Sequence, residues 1–284
     1  MAEGRRSDSG HRRQRLPSET ARHVESRSYG IVHRGQSAVS HPRTPPARVF
    51  FLAYDACDEL DIVGPFAVMQ TANRYLADPK RSPAGTPIDL RIVAAEGSGA
   101  VTYDGPDGPH AFVTGVHGMT LEVKPWDGCD LPDILIVAGG NVEPDTGIMR
   151  QMHNPAFVEP LRRQHARGAQ LVCVCTGAFG IVGAGLASGR AMTTHPGLVN
   201  ELSAAGARVL HPDWDARVVD DGDLISCGGV TSGIDEALYL VQSFWPGDPQ
   251  LIADVRGFVD FNYRAQVAVT APHREAKGPP AGER

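Results

Sequence analysis

The sequence lacks any apolar run long enough to span a membrane, and its basic start is not followed by the apolar core of a signal peptide. It also lacks a glycine-rich phosphate loop and a dinucleotide-binding fingerprint, which excludes the common nucleotide-binding motifs. No internal repeat is present. These absences predict a soluble, cytoplasmic protein that is neither a membrane protein nor a nucleotide-dependent enzyme.

Cysteine is scarce and carries no pairing pattern. The chain has five cysteines, an odd number, and none of them belongs to a CxxC pair. They are Cys57, Cys129, Cys173, Cys175 and Cys227. This pattern disfavours both a disulfide framework and a zinc ribbon. We therefore expect any functional cysteine to act as a free thiol.

Charge and composition divide the 284 residues into a folded body and two tails. Residues 1–47 are rich in Arg, Ser, His and Pro without apolar periodicity, which predicts a disordered basic arm. Residues 48–262 are predicted to form one domain, and residues 263–284 a flexible tail. Because the net charge is -6 and the basic residues concentrate in the arm, the body is acidic. An acidic body makes nucleic acid an unlikely partner and favours a small-molecule substrate.

Apolar runs and helical patterns alternate along the body. The expected strands cover residues 48–54, 90–95, 134–137 and 170–174, and hairpin strands between 97 and 123 cover one edge. Pro65 suits the first turn of a helix, and further helices are expected over 155–166 and from Thr231. This alternation predicts an α/β fold, a three-layer sandwich with a mostly parallel central sheet.

Cys175 lies on the turn between a predicted strand and a predicted helix. Such a turn exposes its side chain at the carboxyl edge of the sheet, where open α/β sheets bind their ligands. A free thiol titrates near roughly 8.5, and a helix N-terminus can lower that pKa to about 3.5 to 7.5. The pattern therefore predicts a nucleophilic Cys175 thiolate, whereas Cys173, within the strand, is expected to be a buried small hydrophobe.

Two other segments end at the same predicted edge. Asp61 follows the first strand, and a carboxyl beside a thiol in a partly dry pocket holds its proton at neutral pH. Asp61 could equally be an anion that complements the helix dipole. Gly139 and Gly140 follow another strand, where their amides, with that of Thr176, could form an oxyanion hole. An ordinary tight turn would use the same two glycines.

His195 lies twenty residues after Cys175, and a Cys-His pair is another way to activate a thiol. The segment Met192–Pro196 has the pattern of a strand end followed by a helix start. We therefore expect His195 to line or cap the pocket rather than to act as the base.

Five motifs together resemble the DJ-1/PfpI superfamily, and within it the isonitrile hydratase branch. In chain order they are Leu60–Pro65, Val137–Gly140, Val174–Ala178, Thr193–His195 and Gly228–Asp235. The resemblance implies a flavodoxin-like, class I amidotransferase-like sandwich that forms a homodimer. The chain departs from the family pattern at Val63, Ala138 and Pro196, which bear on the shape of the pocket.

The resemblance also implies roles for individual residues. Cys175 would be the nucleophile, Asp61 its acidic partner, and Thr176 a neighbour of the reacting centre. Gly64, within the first motif, and His195 would line the substrate site. The implied reaction adds water to an isonitrile through a Cys175 thioimidate, releases an N-substituted formamide, and requires no metal and no organic cofactor.

Two other functions use the same residues. One is a non-catalytic ligand or redox sensor linked to transcriptional regulation, in which Cys175 binds or is oxidised. The other is glyoxalase-like chemistry on carbonyl compounds with the same thiol and acid. Turnover that depends on Cys175 but not on Cys173 would separate an enzyme from a sensor.

Overall fold

A computed structural model describes residues 45–81, 87–106, 108–213, 215–262 and 266–272. Most of the predicted arm, residues 1–44, and most of the predicted tail therefore lie outside the described residues. None of the described helices is both long and apolar enough to cross a membrane.

Within these ranges strands and helices alternate along most of the chain. The strands are β1 (Arg48–Ala53), β2 (Asp89–Ala95), β3 (Val101–Gly105), β4 (Gly108–Thr114), β5 (Thr120–Trp126), β6 (Ile134–Val137), β7 (Gln170–Cys173), β8 (Ala191–Met192), β9 (Arg208–Val209), β10 (Val218–Asp221), β11 (Leu224–Cys227) and β12 (Val267–Ala271). The α-helices are α1 (Glu59–Leu76), α2 (Gly147–Gln151), α3 (Pro155–Ala166), α4 (Ala178–Gly183), α5 (Val199–Ala204), α6 (Ser232–Phe244) and α7 (Pro249–Val259).

Ten strands form one sheet in the order β12-β10-β11-β7-β6-β1-β2-β5-β4-β3. The strands from β11 through β5 in this order are parallel, which confirms the predicted fold class. At one end β3, β4 and β5 pair antiparallel, as the hairpin prediction required. The parallel register brings the carboxyl ends of β1, β6 and β7 side by side, and the candidate site residues follow these ends.

Helices cover both faces of the sheet because the side chains of each strand alternate between the faces. On one face Phe51 packs edge-on against Phe66 of α1, at a ring-centroid distance of 5.4 Å. On the opposite face Tyr54 packs against Phe157 of α3, at 5.5 Å. The strands between these layers are almost continuously apolar and buried, as parallel strands covered on both faces are.

Helix α1 begins earlier than Pro65 suggests. Asp58 caps it, because its carboxylate accepts a hydrogen bond from the N–H of Leu60 at 3.0 Å. Asp61 thereby lies in the first turn and Pro65 inside the helix. The prediction that Pro65 occupies the first turn is wrong, because the cap residue Asp58 stands seven positions before Pro65, which places the proline in the second turn.

The predicted tail contains a strand of the sheet. Val267–Ala271 forms β12, which pairs parallel to β10, and Val267 and Ala268 are buried. A wholly flexible segment from 263 is therefore wrong for these five residues. The apolar run is short, and its pairing with β10, a contact distant in sequence, gives it a place to pack.

Candidate active site

The strand-to-helix turn at Cys175 forms as the sequence predicts, with a strained residue at its apex. Cys175 follows β7, has a φ of 56° and opens a short 3-10 turn that leads into α4. Positive φ in a non-glycine residue costs about 1–3 kcal/mol and persists where neighbours enforce it. The Thr194 hydroxyl enforces it here by donating to the Cys175 carbonyl oxygen at 2.9 Å.

Asp61 and Cys175 meet at the carboxyl edge of the sheet. Asp61 is 0% exposed, its Oδ2 accepts the N–H of Gly139 at 2.9 Å, and its carboxyl group also interacts with the Cys175 thiol. Burial raises the pKa of Asp61 well above its usual range, and the nearby charge of Asp58 adds to this. A carboxyl group with a raised pKa therefore interacts with the thiol.

The electrostatics of the thiol differ from the expectation. Cys175 is only 5% exposed, and burial together with the charge of Asp61 raises its pKa to about 12. The N–H groups of Val230 and Thr176 interact with the sulfur and oppose this shift, but they do not outweigh it. The predictions of an exposed side chain and a lowered pKa are wrong, because desolvation exceeds the effect of the short helix α4.

The glycine turn after β6 holds the site together. The N–H of Gly139 donates to Asp61, and the N–H of Gly140 donates to the Thr176 hydroxyl at 2.8 Å. That hydroxyl donates in turn to the Gly140 carbonyl oxygen at 3.1 Å. In this state the amides position Asp61 and Thr176, so they do not form an open oxyanion hole.

Gly64 lies at a helix-helix contact. A Cβ added there would be 3.0 Å from Cγ1 of Ile234, which belongs to α6. Because Gly64 has no side chain, α1 and α6 can approach each other closely. The structure gives Gly64 a packing role, whereas the resemblance implied a place in the substrate site.

His195 lies at the exposed rim of the site. Its Nδ1 accepts the N–H of Gly197 at 3.1 Å, and a Cβ added to Gly229 would lie 2.8 Å from the imidazole Cδ2. The ring caps the turn that follows β8, which is one of the two roles expected from the sequence.

Several residues that hold the site were not singled out from the sequence. The Tyr54 hydroxyl donates to the carbonyl oxygen of Ala138 at 2.9 Å and so fixes the start of the glycine turn. Thr194 and Val230 contact Cys175 through a hydroxyl and an amide. Thr194 and Val230 lie within two of the five family motifs, and this was the feature of the sequence that could have identified them. For Tyr54, the sequence offered only its position at the end of the first strand.

One group of side chains has the composition of a metal site. Candidate ligand atoms of Asp58, Glu59 and His117 lie within 4.8 Å of one another. Both Glu59 oxygens, however, accept hydrogen bonds from the turn between β4 and β5, including the N–H groups of His117 and Met119 at 3.0 Å each. These bonds explain Glu59 as an anchor for that turn.

Two cavities of about 790 and 680 Å³ lie elsewhere, along β2 and β5. Trp126 lines both, and neither is lined by Cys175 or Asp61.

The comparisons with known proteins agree with this geometry. The model of the family described as DJ-1/PfpI matches residues 47–243, more than half of the chain. Isonitrile hydratase from Pseudomonas putida is 36% identical over 125 residues, which cover 43% of this chain and 51% of that protein. A deglycase from Pyrococcus abyssi is 26% identical over 180 residues, 63% of this chain and 88% of the relative. The chain thus spans about half the length of the isonitrile hydratase.

Solved structures show the same fold at low sequence identity. Drosophila melanogaster DJ-1beta has a TM-score of 0.59 and 15% identity, with 76% of this chain and 98% of that chain covered. An AraC family transcriptional regulator from Pseudomonas putida has a TM-score of 0.57 and 21% identity, with 75% and 100% covered.

Proposed function

The chain belongs to the DJ-1/PfpI family, and we propose that it is a Cys175-dependent hydratase that converts an isonitrile to an N-substituted formamide. The observation that carries this proposal is the buried contact between the Asp61 carboxyl group and the Cys175 thiol. Isonitrile hydration needs a nucleophile and a proton for the same carbon atom. A thiol beside a proton-holding carboxyl group supplies both.

The first step couples proton transfer to attack. The Cys175 sulfur bonds to the terminal carbon of the isonitrile while the thiol proton passes to Asp61, which protonates that carbon. The product is a thioimidate, and no proton is gained or lost overall. Coupling is required because the pKa of the thiol, about 12, leaves little thiolate at neutral pH.

The second step releases the product. Water adds to the thioimidate carbon, the C=N electron pair moves to nitrogen, and the nitrogen takes a proton. The carbon-sulfur bond of the resulting tetrahedral intermediate then breaks as the hydroxyl group becomes a carbonyl, and the hydroxyl proton passes through Asp61 to the sulfur. Asp61 and the Cys175 thiol are thereby restored, and the N-substituted formamide leaves. The N–H groups of Val230 and Thr176, which contact the sulfur, stabilise it as a leaving group.

The similarity to isonitrile hydratase and the burial of Cys175 both favour this substrate. An isonitrile presents a linear group with the reactive carbon at its tip, which suits a residue that is 5% exposed better than a bulky group does.

Carbonyl chemistry is the second candidate. The deglycase relative aligns over 88% of its length, a larger share than the hydratase does. The same thiol would add to an aldehyde or ketone carbon, with Asp61 as proton donor to the oxygen. This reaction predicts turnover of a 2-oxoaldehyde in place of an isonitrile.

We further propose that the protein acts as a homodimer. The apolar side chains of Leu60 and Val63, on α1 near the site, are each 39% exposed, and a second copy would cover them. Light scattering of the purified protein measures the mass directly, and a monomeric mass would contradict this proposal.

The experiment that tests the function measures formamide formation from a simple alkyl isonitrile. We expect Cys175→Ala and Asp61→Asn to abolish turnover, while Cys173→Ala, a matched loss of a buried thiol, retains it. Thermal unfolding of each variant checks that it is folded. Equal losses in Cys175→Ala and Cys173→Ala would contradict the site. Wild-type turnover of a 2-oxoaldehyde alone would favour the carbonyl reaction, and a ligand-dependent rise in Tm without turnover would favour a sensor.

A further inference from the structure

The hydroxyl group of Tyr54 and the carboxyl group of Asp61 bind opposite ends of one peptide group. This peptide group joins Ala138 to Gly139 at the start of the glycine turn. Its carbonyl oxygen accepts a hydrogen bond from the Tyr54 hydroxyl at 2.9 Å, and its N–H donates to Asp61 Oδ2 at 2.9 Å. Because a trans peptide group is planar and its C=O and N–H point in opposite directions, a bond that fixes the oxygen also fixes the direction of the N–H.

Tyr54 is itself held firmly at the end of β1. The residue is 0% exposed, and its ring packs edge-on against Phe157 of α3 at a ring-centroid distance of 5.5 Å. Its main-chain oxygen accepts the N–H of Cys57 at 3.0 Å. Burial raises the pKa of the Tyr54 hydroxyl well above its usual range, so the group keeps its proton and remains a donor. A donor fixed in this way can orient its acceptor.

The same hydroxyl group lies against the next residue of the turn. A Cβ added to Gly140 would lie 2.9 Å from the Tyr54 hydroxyl oxygen. The N–H of Gly140 donates to the Thr176 hydroxyl at 2.8 Å, and the Gly139 carbonyl oxygen accepts the N–H of Asp58 at 2.9 Å. The two amides that bind the acid and the hydroxyl group of the site therefore both come from a turn that Tyr54 contacts.

We propose that Tyr54 is a positioning residue for Asp61 and acts through the peptide group between Ala138 and Gly139. Its hydroxyl group fixes the plane of the peptide group. It also makes the N–H a stronger donor to Asp61, because consecutive hydrogen bonds polarise one another. No bond to Tyr54 forms or breaks in the reaction. The expected effect on turnover rests on the proposed function, whereas the effect on the peptide group does not.

The test observes this peptide group directly by nuclear magnetic resonance. Labelling with carbonyl-13C alanine and 15N glycine restricts the spectrum to alanine-glycine peptide groups, of which the sequence has five. Tyr54→Phe keeps the ring against Phe157 and loses only the hydroxyl group. We expect the carbonyl carbon resonance of Ala138 and the amide proton resonance of Gly139 to move upfield in this variant, because both hydrogen bonds weaken.

The matched control is Tyr239→Phe. The Tyr239 hydroxyl is also buried and donates to Asp220 Oδ2, so this variant loses the same group without touching the glycine turn. Neither resonance should move in the control. A further variant places 4-aminophenylalanine at position 54, which keeps a donor at the end of the ring. This variant should return both resonances most of the way to their wild-type positions.

Turnover gives a second readout. In Tyr54→Phe we expect kcat to fall about fivefold, the size of effect expected for one lost hydrogen bond, with KM within about twofold. Tyr239→Phe should leave both constants unchanged.

Two results would overturn the proposal. One is a Gly139 amide proton resonance that moves no further in Tyr54→Phe than in Tyr239→Phe. The other is a 4-aminophenylalanine variant that is folded by its Tm yet has both resonances displaced as far as in Tyr54→Phe, because packing and not the donor would then be responsible. Neither measurement uses an isonitrile, so both outcomes are read even if the wild-type protein makes no formamide.

Discussion

The main-chain N–H of Val230 points to the sulfur of Cys175, and both residues have positive φ, 35° and 56°. Positive φ is unfavourable for a β-branched residue. Two residues with strained backbones, from separate segments of the chain, thus contact each other at the Cys175 sulfur. Strain of this kind persists where the surrounding structure enforces it.

At position 230 we expect the glycine variant to be more stable than the alanine variant, the reverse of the usual order. Ala is normally more stable than Gly by roughly 0.5–1 kcal/mol, but only Gly accepts positive φ without steric cost. We therefore expect Val230→Gly to be more stable than Val230→Ala in chemical denaturation. Because both variants keep the amide, both should retain activity within about threefold. A Val230→Ala variant more stable than Val230→Gly would show that φ at this position relaxes in solution.

Asp61→Asn should abolish turnover and, at high pH, increase the alkylation of Cys175. Burial is the largest cause of the raised thiol pKa, and the charge of Asp61 adds to it where that carboxyl group is ionised, so its removal lowers the pKa and increases the thiolate fraction there. In wild type the rate should rise about tenfold per pH unit from pH 7 toward the pKa of about 12. The measurement is the pH profile of iodoacetamide labelling. A wild-type plateau below pH 8 would contradict the raised pKa.

The fold and the place of Cys175 at the carboxyl edge of the sheet were predictable because they depend on local patterns. Runs of consecutive residues determine buried strands such as Ile134–Val137 and the turn at Cys175. The same holds for the hairpins at the sheet edge, which turn signals delimit.

The electrostatics were not predictable in this way. The pKa of Cys175 depends on its burial, on Asp61 from α1 and on the amide of Val230, which come from segments far apart in the chain. The role of Gly64 was not predictable for the same reason. Its neighbour Ile234 is 170 positions away, and no local pattern distinguishes a glycine that lets two helices pack from one that lines a substrate site. Contacts of this kind are set by the tertiary structure alone.

Gly139→Ala should inactivate the site. A Cβ at this position would lie 2.5 Å from Asp61 Oδ2 and 2.7 Å from the Thr176 hydroxyl oxygen, closer than real contacts allow. We expect loss of at least about a hundredfold in kcat/KM as the pair is displaced. The control is Gly257→Ala, an exposed helical position where a Cβ meets open space, which should be active and more stable by up to about 1 kcal/mol. Full activity in Gly139→Ala would contradict the site geometry.

His117 should titrate above the usual range of histidine. Its hydrogen bond to Glu59 is the largest cause of the raised pKa, followed by the charge of Asp58. Nuclear magnetic resonance titration of the imidazole should therefore show a larger fall in pKa for Glu59→Gln than for Asp58→Asn. Equal falls in the two variants would mean that the general negative charge, and not the hydrogen bond, sets the pKa.

Glu236 should make the protein less stable as pH rises. Its pKa is raised in the folded state by burial, so the folded protein keeps this proton after the unfolded chain has lost it. The stability contribution is full below the ordinary glutamate pKa and declines by about 1.4 kcal/mol per pH unit until the raised folded pKa is reached. Glu236→Gln has no proton to lose, so its stability relative to wild type should grow with pH above about 4.5. Glu236→Leu also lacks this titrating group. Its stability relative to wild type should therefore rise with pH at the same slope, even if it differs from that of Glu236→Gln by a constant amount. Urea denaturation at a series of pH values measures both slopes, and parallel curves for wild type and Glu236→Gln would mean that Glu236 is ionised in the folded protein.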